Sequence, residues 1–249
     1  IVVNPKFARS HYGDSYVELV ALNEDTEENR YIRKTYMKNN ILNPAKIETD
    51  MSIFQALCMR KNHYVVTLEQ IYSRDDRIEF IEDFISTGCL FAYLWKEKRF
   101  SEKRARTYCA EILLGLNFLH ENNLIFRDLD PRSILLDKKG FIKLTFPGYE
   151  TVDTPTIVNP YYSPDFLMSN ANTIAADWYS LGCILYEMVC GYPPFWNDDQ
   201  NKLKKTILED SPKFPAHVQP NTKDLIIKLL EKDPNKRLGS CSKGCEEIK

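Results

Sequence analysis

From Asp177 to Cys190 the sequence reads DWYSLGCILYEMVC. A helix over this stretch carries apolar side chains on most of its faces, so no orientation leaves a solvated side and other elements must surround it. A central helix of that kind demands a sizeable helical lobe. The chain supplies the surroundings: Ala105, Tyr108, Ile112, Leu116 and Leu119 recur three or four apart, and Lys202–Leu208 and Asp224–Leu230 read as two further helices. Ile134–Leu136 and Phe141–Leu144 flank Asp137-Lys138-Lys139-Gly140, which predicts a hairpin.

Before Gly88 the pattern is different. Tyr16–Leu22 and Arg30–Tyr36 are strand-like around the polar turn Asn23–Asn29. Tyr64–Ile71 and Ile78–Ile85 form a second strand pair around Ser73–Arg77, and Pro44 and Asp50 bracket a helix that runs through Leu57. This is a small, mainly β lobe. With 249 residues the chain can bury roughly 70–75% of its unfolded surface, enough for one large domain or two lobes sharing a cleft. No internal repeat or low-complexity linker interrupts it.

Charge and cysteines narrow the function classes. A formal charge of −2 gives no general attraction to nucleic acid or anionic lipid, so any partner is recognised locally. The seven cysteines, at 58, 89, 109, 183, 190, 241 and 245, are scattered and odd in number, which predicts free thiols in a reducing compartment. Cys241 and Cys245 lack a second pair at zinc-ligand spacing, and His11, His63, His120 and His217 are dispersed, so no metal site is predicted. No signal-like N-terminus is present, and no apolar run reaches the ~18 residues of a membrane span. The expectation is a cytoplasmic protein.

Glycine is informative through its scarcity. Between Ile1 and Tyr72 the only one is Gly13. A loop that wraps phosphates with backbone N–H groups needs several close together, and this part of the chain cannot build one.

The segment Leu124-Ile125-Phe126-Arg127-Asp128-Leu129-Asp130-Pro131-Arg132-Ser133-Ile134-Leu135-Leu136 resembles the catalytic loop of a protein kinase, most closely that of the AGC group, which includes the cyclic-nucleotide-dependent kinases. Further matches follow in order: Ser163-Pro164-Asp165, Asp177-Trp178-Tyr179-Ser180-Leu181-Gly182, Gly191-Tyr192-Pro193-Pro194-Phe195 and Asp233-Pro234-Asn235-Lys236-Arg237-Leu238-Gly239. The resemblance implies an α+β, bilobal protein-kinase-like fold. A β-rich N-lobe would span 1–84 and a helical C-lobe 85–249, with a hinge at 83–89; the chain stops at Lys249, before the tail typical of the group.

The family's chemical parts map onto altered residues. Phosphoryl transfer is almost entirely positioning and charge neutralisation, by a glycine loop, a lysine, metal ions and an aspartate. Placing Tyr31-Ile32-Arg33-Lys34 on the family's V-A-I-K element puts the glycine-loop positions on Tyr12, Asp14, Val17 and Leu19. Lys34 matches the phosphate-holding lysine, but its usual glutamate partner falls on Ile53, and Glu48 lies roughly 140° around the helix from there. The metal-binding asparagine of the loop is Ser133, the D-F-G element reads Phe146-Pro147-Gly148, and Asp130 replaces the lysine that steadies the transferred phosphate. Magnesium needs hard oxygen ligands, which phenylalanine does not supply. Asp128 remains at the position of the catalytic base, either as a base or as a loop-structuring carboxylate.

Other positions bear on regulation and recognition. Ile32 adds bulk where adenine would stack, and the gatekeeper position holds Glu82. Two arrangements stand open there: Glu82 pairs with Lys34 as a polar plug, or it turns to water while Lys34 stays solvated. Arg127 anchors the activation segment, where the family's phosphothreonine falls on Thr154; that segment is shorter than in relatives, so packing without modification is expected. Leu57, Leu68, Phe126 and Asp177 match the regulatory stack of the fold, with Pro147 at its D-F-G position, and Asp165 and Arg237 match a buried ion pair. Of the acidic residues by which relatives choose basic peptides, Glu187 remains, while Cys89 and Arg132 stand at two others.

The resemblance and its departures predict a pseudokinase: an inactive kinase-like domain acting as a scaffold or allosteric regulator of a protein partner, such as another kinase, a regulatory subunit or a signalling protein. No cofactor is expected, with ATP bound weakly or not at all and no magnesium. The alternatives are a residual serine/threonine kinase or other nucleotide-dependent transferase with a metal-poor mechanism, and a domain that binds nucleotide without turnover. Exposed aromatics at Tyr192–Trp196 lie where relatives dock regulators, while packing of the Pro193-Pro194-Phe195 turn is the favoured structural reason for them.

Overall fold

The computed structural model describes residues 2–9, 16–21, 30–41, 44–58, 60, 62–145, 158–169, 172–241 and 244–249. Tyr12, Gly13 and Asp14, the turn at Asn23–Asn29, Phe146-Pro147-Gly148 and Thr154 lie outside the described residues. The described residues fall into two compact units, one running to Ser86 and one beginning at Thr87.

The first unit is an antiparallel sheet with one long helix. Its strands are β1 (Val2–Arg9), β2 (Tyr16–Ala21), β3 (Arg30–Met37), β4 (Leu68–Ser73) and β5 (Arg77–Asp83), in the order β1-β2-β3-β5-β4. The helix is α1 (Pro44–Cys58), which packs against β4. Ile47, Met51 and Phe54 recur on one face of α1 and are buried, as the helical repeat requires, with Leu57 closing the stripe. β5 lies between two neighbours and is buried along Ile78, Glu79, Phe80, Ile81 and Glu82, and the Phe80 ring stacks on Tyr36 at 4.9 Å.

Two strands differ from expectation. β1 is not legible as a strand because Pro5 interrupts it; it is tolerated at the edge of the sheet, where a missing N–H costs no ladder bond, and the register shifts on either side of Lys6. β4 begins at Leu68 rather than Tyr64. The preceding backbone is instead turned by Asn62, whose Oδ1 accepts from the Tyr64 N–H at 2.7 Å.

The second unit is mainly helical: α2 (Leu90–Glu97), α3 (Glu102–His120), the hairpin β6 (Ile134–Leu136) and β7 (Ile142–Leu144), α4 (Pro164–Ser169), α5 (Ile174–Cys190), α6 (Gln200–Glu209), α7 (Pro220–Leu229) and α8 (Cys245–Ile248). α5 is buried at every residue from Ala176 to Cys190 and packs against α3 and α7. A β-carbon on Gly182 would come within 2.8 Å of Leu229 Cβ, so the close approach of α5 and α7 depends on that glycine. α5 ends at Gly191, whose φ of 92° is left-handed, and there too a side chain would strike the Lys98 carbonyl at 2.7 Å.

Helix starts lie earlier than apolar periodicity suggests, because caps set them. Thr173 accepts the Ala176 N–H to start α5, Asp199 accepts those of Asn201 and Lys202 to start α6, and Pro220 opens α7. Together the units form an α+β fold with a small antiparallel sheet and a larger helical part. The described cysteines, apart from Cys58 whose side chain is not described, are free thiols. Among the described residues no helix is long and apolar enough to cross a membrane.

Candidate functional site

In the first unit the candidate residues lie on the central strands. β2 pairs with β3 without interruption from Tyr16↔Thr35 to Ala21↔Arg30, so Val17 and Leu19 are ordinary ladder residues opposite Lys34 and Ile32. β3 pairs with β5 so that Ile32 faces Glu82 and Lys34 faces Phe80, while Leu68 of β4 faces Glu82 from the other side. Glu82 therefore sits in a row between two aliphatic side chains and is only 2% exposed. Its cation comes from the diagonal neighbour, since a lysine can reach across a ladder to the next same-face position. Lys34 Nζ lies 2.6 Å from Glu82 Oε1. The second oxygen, Oε2, has no hydrogen-bond partner among the described residues.

Of the two arrangements left open at Glu82, the structure adopts the buried pair. Ile53 is half-buried on α1 and supplies no charge. Glu48, on the same helix, is turned to a different cation: Lys38 Nζ is 2.9 Å away and the Ser73 hydroxyl donates to it at 2.6 Å. The Ser73 hydrogen bond and then Lys38 hold the Glu48 carboxyl below its ordinary range.

In the second unit the loop from Leu124 to Ser133 is organised by a carboxylate of α5. Asp177 accepts the N–H groups of Phe126 and Arg127 at 2.7 and 2.8 Å and lies 2.7 Å from His120 Nε2. These bonds hold Arg127 in a left-handed conformation, φ 74°, which a non-glycine residue keeps only when its surroundings over-determine it. Phe126 and Leu129 are buried beneath the loop.

Asp128 and Asp130 have different environments. Asp130 is buried, but its carboxylate is fully engaged: Arg132 reaches it through Nε at 2.8 Å and a terminal nitrogen at 2.5 Å, and the N–H groups of Arg132 and Ser133 donate at 2.7 and 3.1 Å. Sequence reasoning treats Asp130 as a bare charge opposing phosphate. The structure corrects this, because a guanidinium two residues on neutralises it. The Ser133 hydroxyl is held within the same turn, donating to the Asp130 carbonyl at 2.9 Å and accepting its N–H at 3.2 Å. Asp128 is half-buried, and among the described residues its carboxylate has only a long contact, 3.4 Å, from the Asn159 amide. Burial and then the neighbouring Asp130 push its carboxyl up to about 7, against the opposing pull of Arg132 and Asn159.

Two more groups complete the surroundings. Glu187 is buried in α5 and accepts a hydrogen bond from the Tyr161 hydroxyl, and burial raises its carboxyl above the ordinary range. It is thus a core carboxylate with an internal partner, whereas sequence reasoning leaves it open to basic peptides. Arg237 is 1% exposed and donates to Asp165 Oδ1 at 2.8 Å and to the carbonyls of Ala175 and Glu231 at 2.7 and 2.9 Å. The Asp130–Arg132 clamp and Asn159 are absent from a motif-based reading. The Asp-x-Arg spacing could have suggested the clamp, but no local signal marks Asn159.

The protein kinase domain family model matches residues 15–248. Among curated proteins, the RAC family serine/threonine-protein kinase homolog of Dictyostelium discoideum is 36% identical over 217 residues, covering 84% of this chain and 49% of that protein. Serine/threonine-protein kinase gad8 of Schizosaccharomyces pombe is 34% identical over 88% of this chain and 40% of its own length. For cAMP-dependent protein kinase type 3 of Saccharomyces cerevisiae the identity is 33%, over 88% of this chain and 56% of that protein. The chain spans about half the length of the curated relatives it matches.

Proposed function

Because the chain belongs to the protein kinase family, with relatives of the AGC kind, we propose that it is a kinase-like domain that works by engaging a protein partner rather than by magnesium-dependent phosphoryl transfer. The observation that carries this reading is the Lys34–Glu82 pair. The one lysine matching the phosphate-holding position is neutralised within its own sheet, by a carboxylate too buried to exchange its partner for water.

The residues at the family's metal positions do not fit magnesium. The Ser133 hydroxyl is engaged on both sides by the Asp130 backbone, and the companion position is a phenylalanine, Phe146, outside the described residues. Asp130 stands where a cation would steady the transferred phosphate and is itself clamped by Arg132. Arg127, Asp165 and Arg237 serve, on this reading, to keep the second unit folded as a platform, and Thr154 is left as a position that phosphorylation could address.

A second reading has its own support. The relatives carry serine/threonine kinase names, so the comparisons by themselves favour a residual kinase. Asp128, pushed up to about 7, is matched to proton transfer near neutral pH, as a general base requires. Thermal-shift titration with ATP, with and without magnesium or manganese, beside a radiolabelled phosphotransfer assay, separates the two. The partner-binding reading expects no metal-dependent shift, where a ligand at a hundred times its Kd stabilises by ~2.7 kcal/mol. Saturable micromolar ATP binding that requires magnesium, with transfer abolished by Asp128→Asn, would establish the residual kinase instead.

A further inference from the structure

α2 is amphipathic in an unusual sense. Leu90 and Leu94 face the core, yet the face about 100° around the helix carries Phe91 at 43% and Trp95 at 71% exposure, one turn apart with ring centroids 6.4 Å from each other. Two stacked rings in water are an apolar surface left uncovered among the described residues. Beyond α2, Gly191 lies against Lys98 and Arg99, and Tyr192 directly after it is 51% exposed with its ring against Tyr186.

The segment that follows Trp95 is strongly cationic. Between Lys96 and Arg106 there are two carboxylates, and both have internal partners: Glu97 holds Arg104 at 2.7 Å, and Glu102 accepts from the Gln219 N–H at 2.6 Å and the Thr222 hydroxyl at 2.9 Å. Lys96, Lys98, Arg99, Lys103 and Arg106 remain exposed and make no ion pair among the described residues. The Lys98 ammonium stands 5.0 Å from the Trp95 ring centroid, so charge and aromatic surface are interleaved rather than adjacent.

We infer that α2 and the first turn of α3 form a docking surface for an acidic protein segment bearing apolar side chains. Charge complementarity selects the acidic partner, and the stacked rings select its apolar residues. Exposed Trp and Arg side chains are the groups that dominate protein–protein contact energies. An anionic bilayer or a nucleic-acid duplex fits less well. Each extends well beyond the Debye length of ~8 Å and so meets the rest of a chain whose net charge is −2, whereas a short segment feels only the patch. The inference does not depend on whether the chain transfers phosphate, since its readout is binding.

The test uses the whole chain and a fluorescein-labelled peptide in which Glu and Asp alternate with Leu and Phe, read by anisotropy at low and physiological salt. A control peptide keeps the acids and replaces Leu and Phe by Ser; phosphatidylserine vesicles and a duplex DNA oligonucleotide are the competing probes. The apolar acidic peptide is expected to bind about tenfold or more tighter than its serine control. Trp95→Ala should weaken it by a similar factor, and Lys98→Glu with Arg99→Glu should weaken it at least as much while flattening the salt dependence. All three side chains are exposed, so circular dichroism should be unchanged. Equal binding of both peptides with no effect of Trp95→Ala would overturn the inference, as would vesicles or DNA binding more tightly than the peptide.

Discussion

The two units treat their buried charges differently. In the second, Arg237 and Asp165 pair at the positions that the resemblance matched to a buried ion pair, and Asp177 accepts the N–H groups of Phe126 and Arg127. In the first, Lys34 occupies a ligand-facing position of the family but is paired with Glu82 inside the sheet. A buried charge must have a partner in either unit. The difference lies in which partner: the helical unit pairs residues that match the family's structural ion pair, and the sheet unit pairs the lysine that matches the phosphate-holding position with a buried glutamate of a neighbouring strand.

The comparison is most strongly tested at Arg237. Arg237→Met strands Asp165 and three carbonyls in a buried setting, and breaking such a pair costs about 3–5 kcal/mol. Urea unfolding should show this as a large loss of stability; a loss under ~1 kcal/mol, the scale of an exposed pair, would remove the claim that the second unit depends on its ion pair.

The pair in the first unit comes next. Lys34→Met and Glu82→Gln, made singly and together, should show a coupling energy of roughly 0.5–3 kcal/mol, with the double variant more stable than additivity predicts. Additive effects would mean that Lys34 is not structural, and the contrast between the units would collapse.

A third test concerns pH. Asp128 is raised to about 7 in the fold, above its unfolded value near 4, so its contribution to stability is complete below pH ~4 and is lost as pH rises towards 7. Asp128→Asn should therefore stabilise the chain at pH 7.5 relative to pH 5 in thermal unfolding. An identical pH dependence in the variant and the parent would show that Asp128 titrates normally. The smallest effect is expected at Glu48: its contacts with Lys38 and Ser73 are on the surface, and Glu48→Gln should cost less than ~1 kcal/mol, declining further with salt. A larger loss would place a second structural ion pair in the first unit.

Much of this architecture is legible along the chain. The apolar run at 177–190 requires a central helix, and the ordered motifs around Arg127-Asp128, Ser163-Pro164-Asp165 and Arg237 specify the kinase family, because each is a local arrangement with a characteristic residue pattern. The substitutions at Asp130, Ser133 and Phe146 are equally plain from sequence. What tertiary structure decided is where each charge goes. Lys34 and Glu82 are far apart along the chain and become neighbours only through the β3–β5 register, in which a slip of one residue would send Glu82 to the other face. The Asp130 charge reads as bare until the loop curls to bring Arg132 onto it, and the sequence does not show that Glu187 has the Tyr161 hydroxyl as its partner inside the core. Residue types state which groups carry charge; the free energy of burying a charge depends on its three-dimensional neighbours, and only the folded chain supplies those.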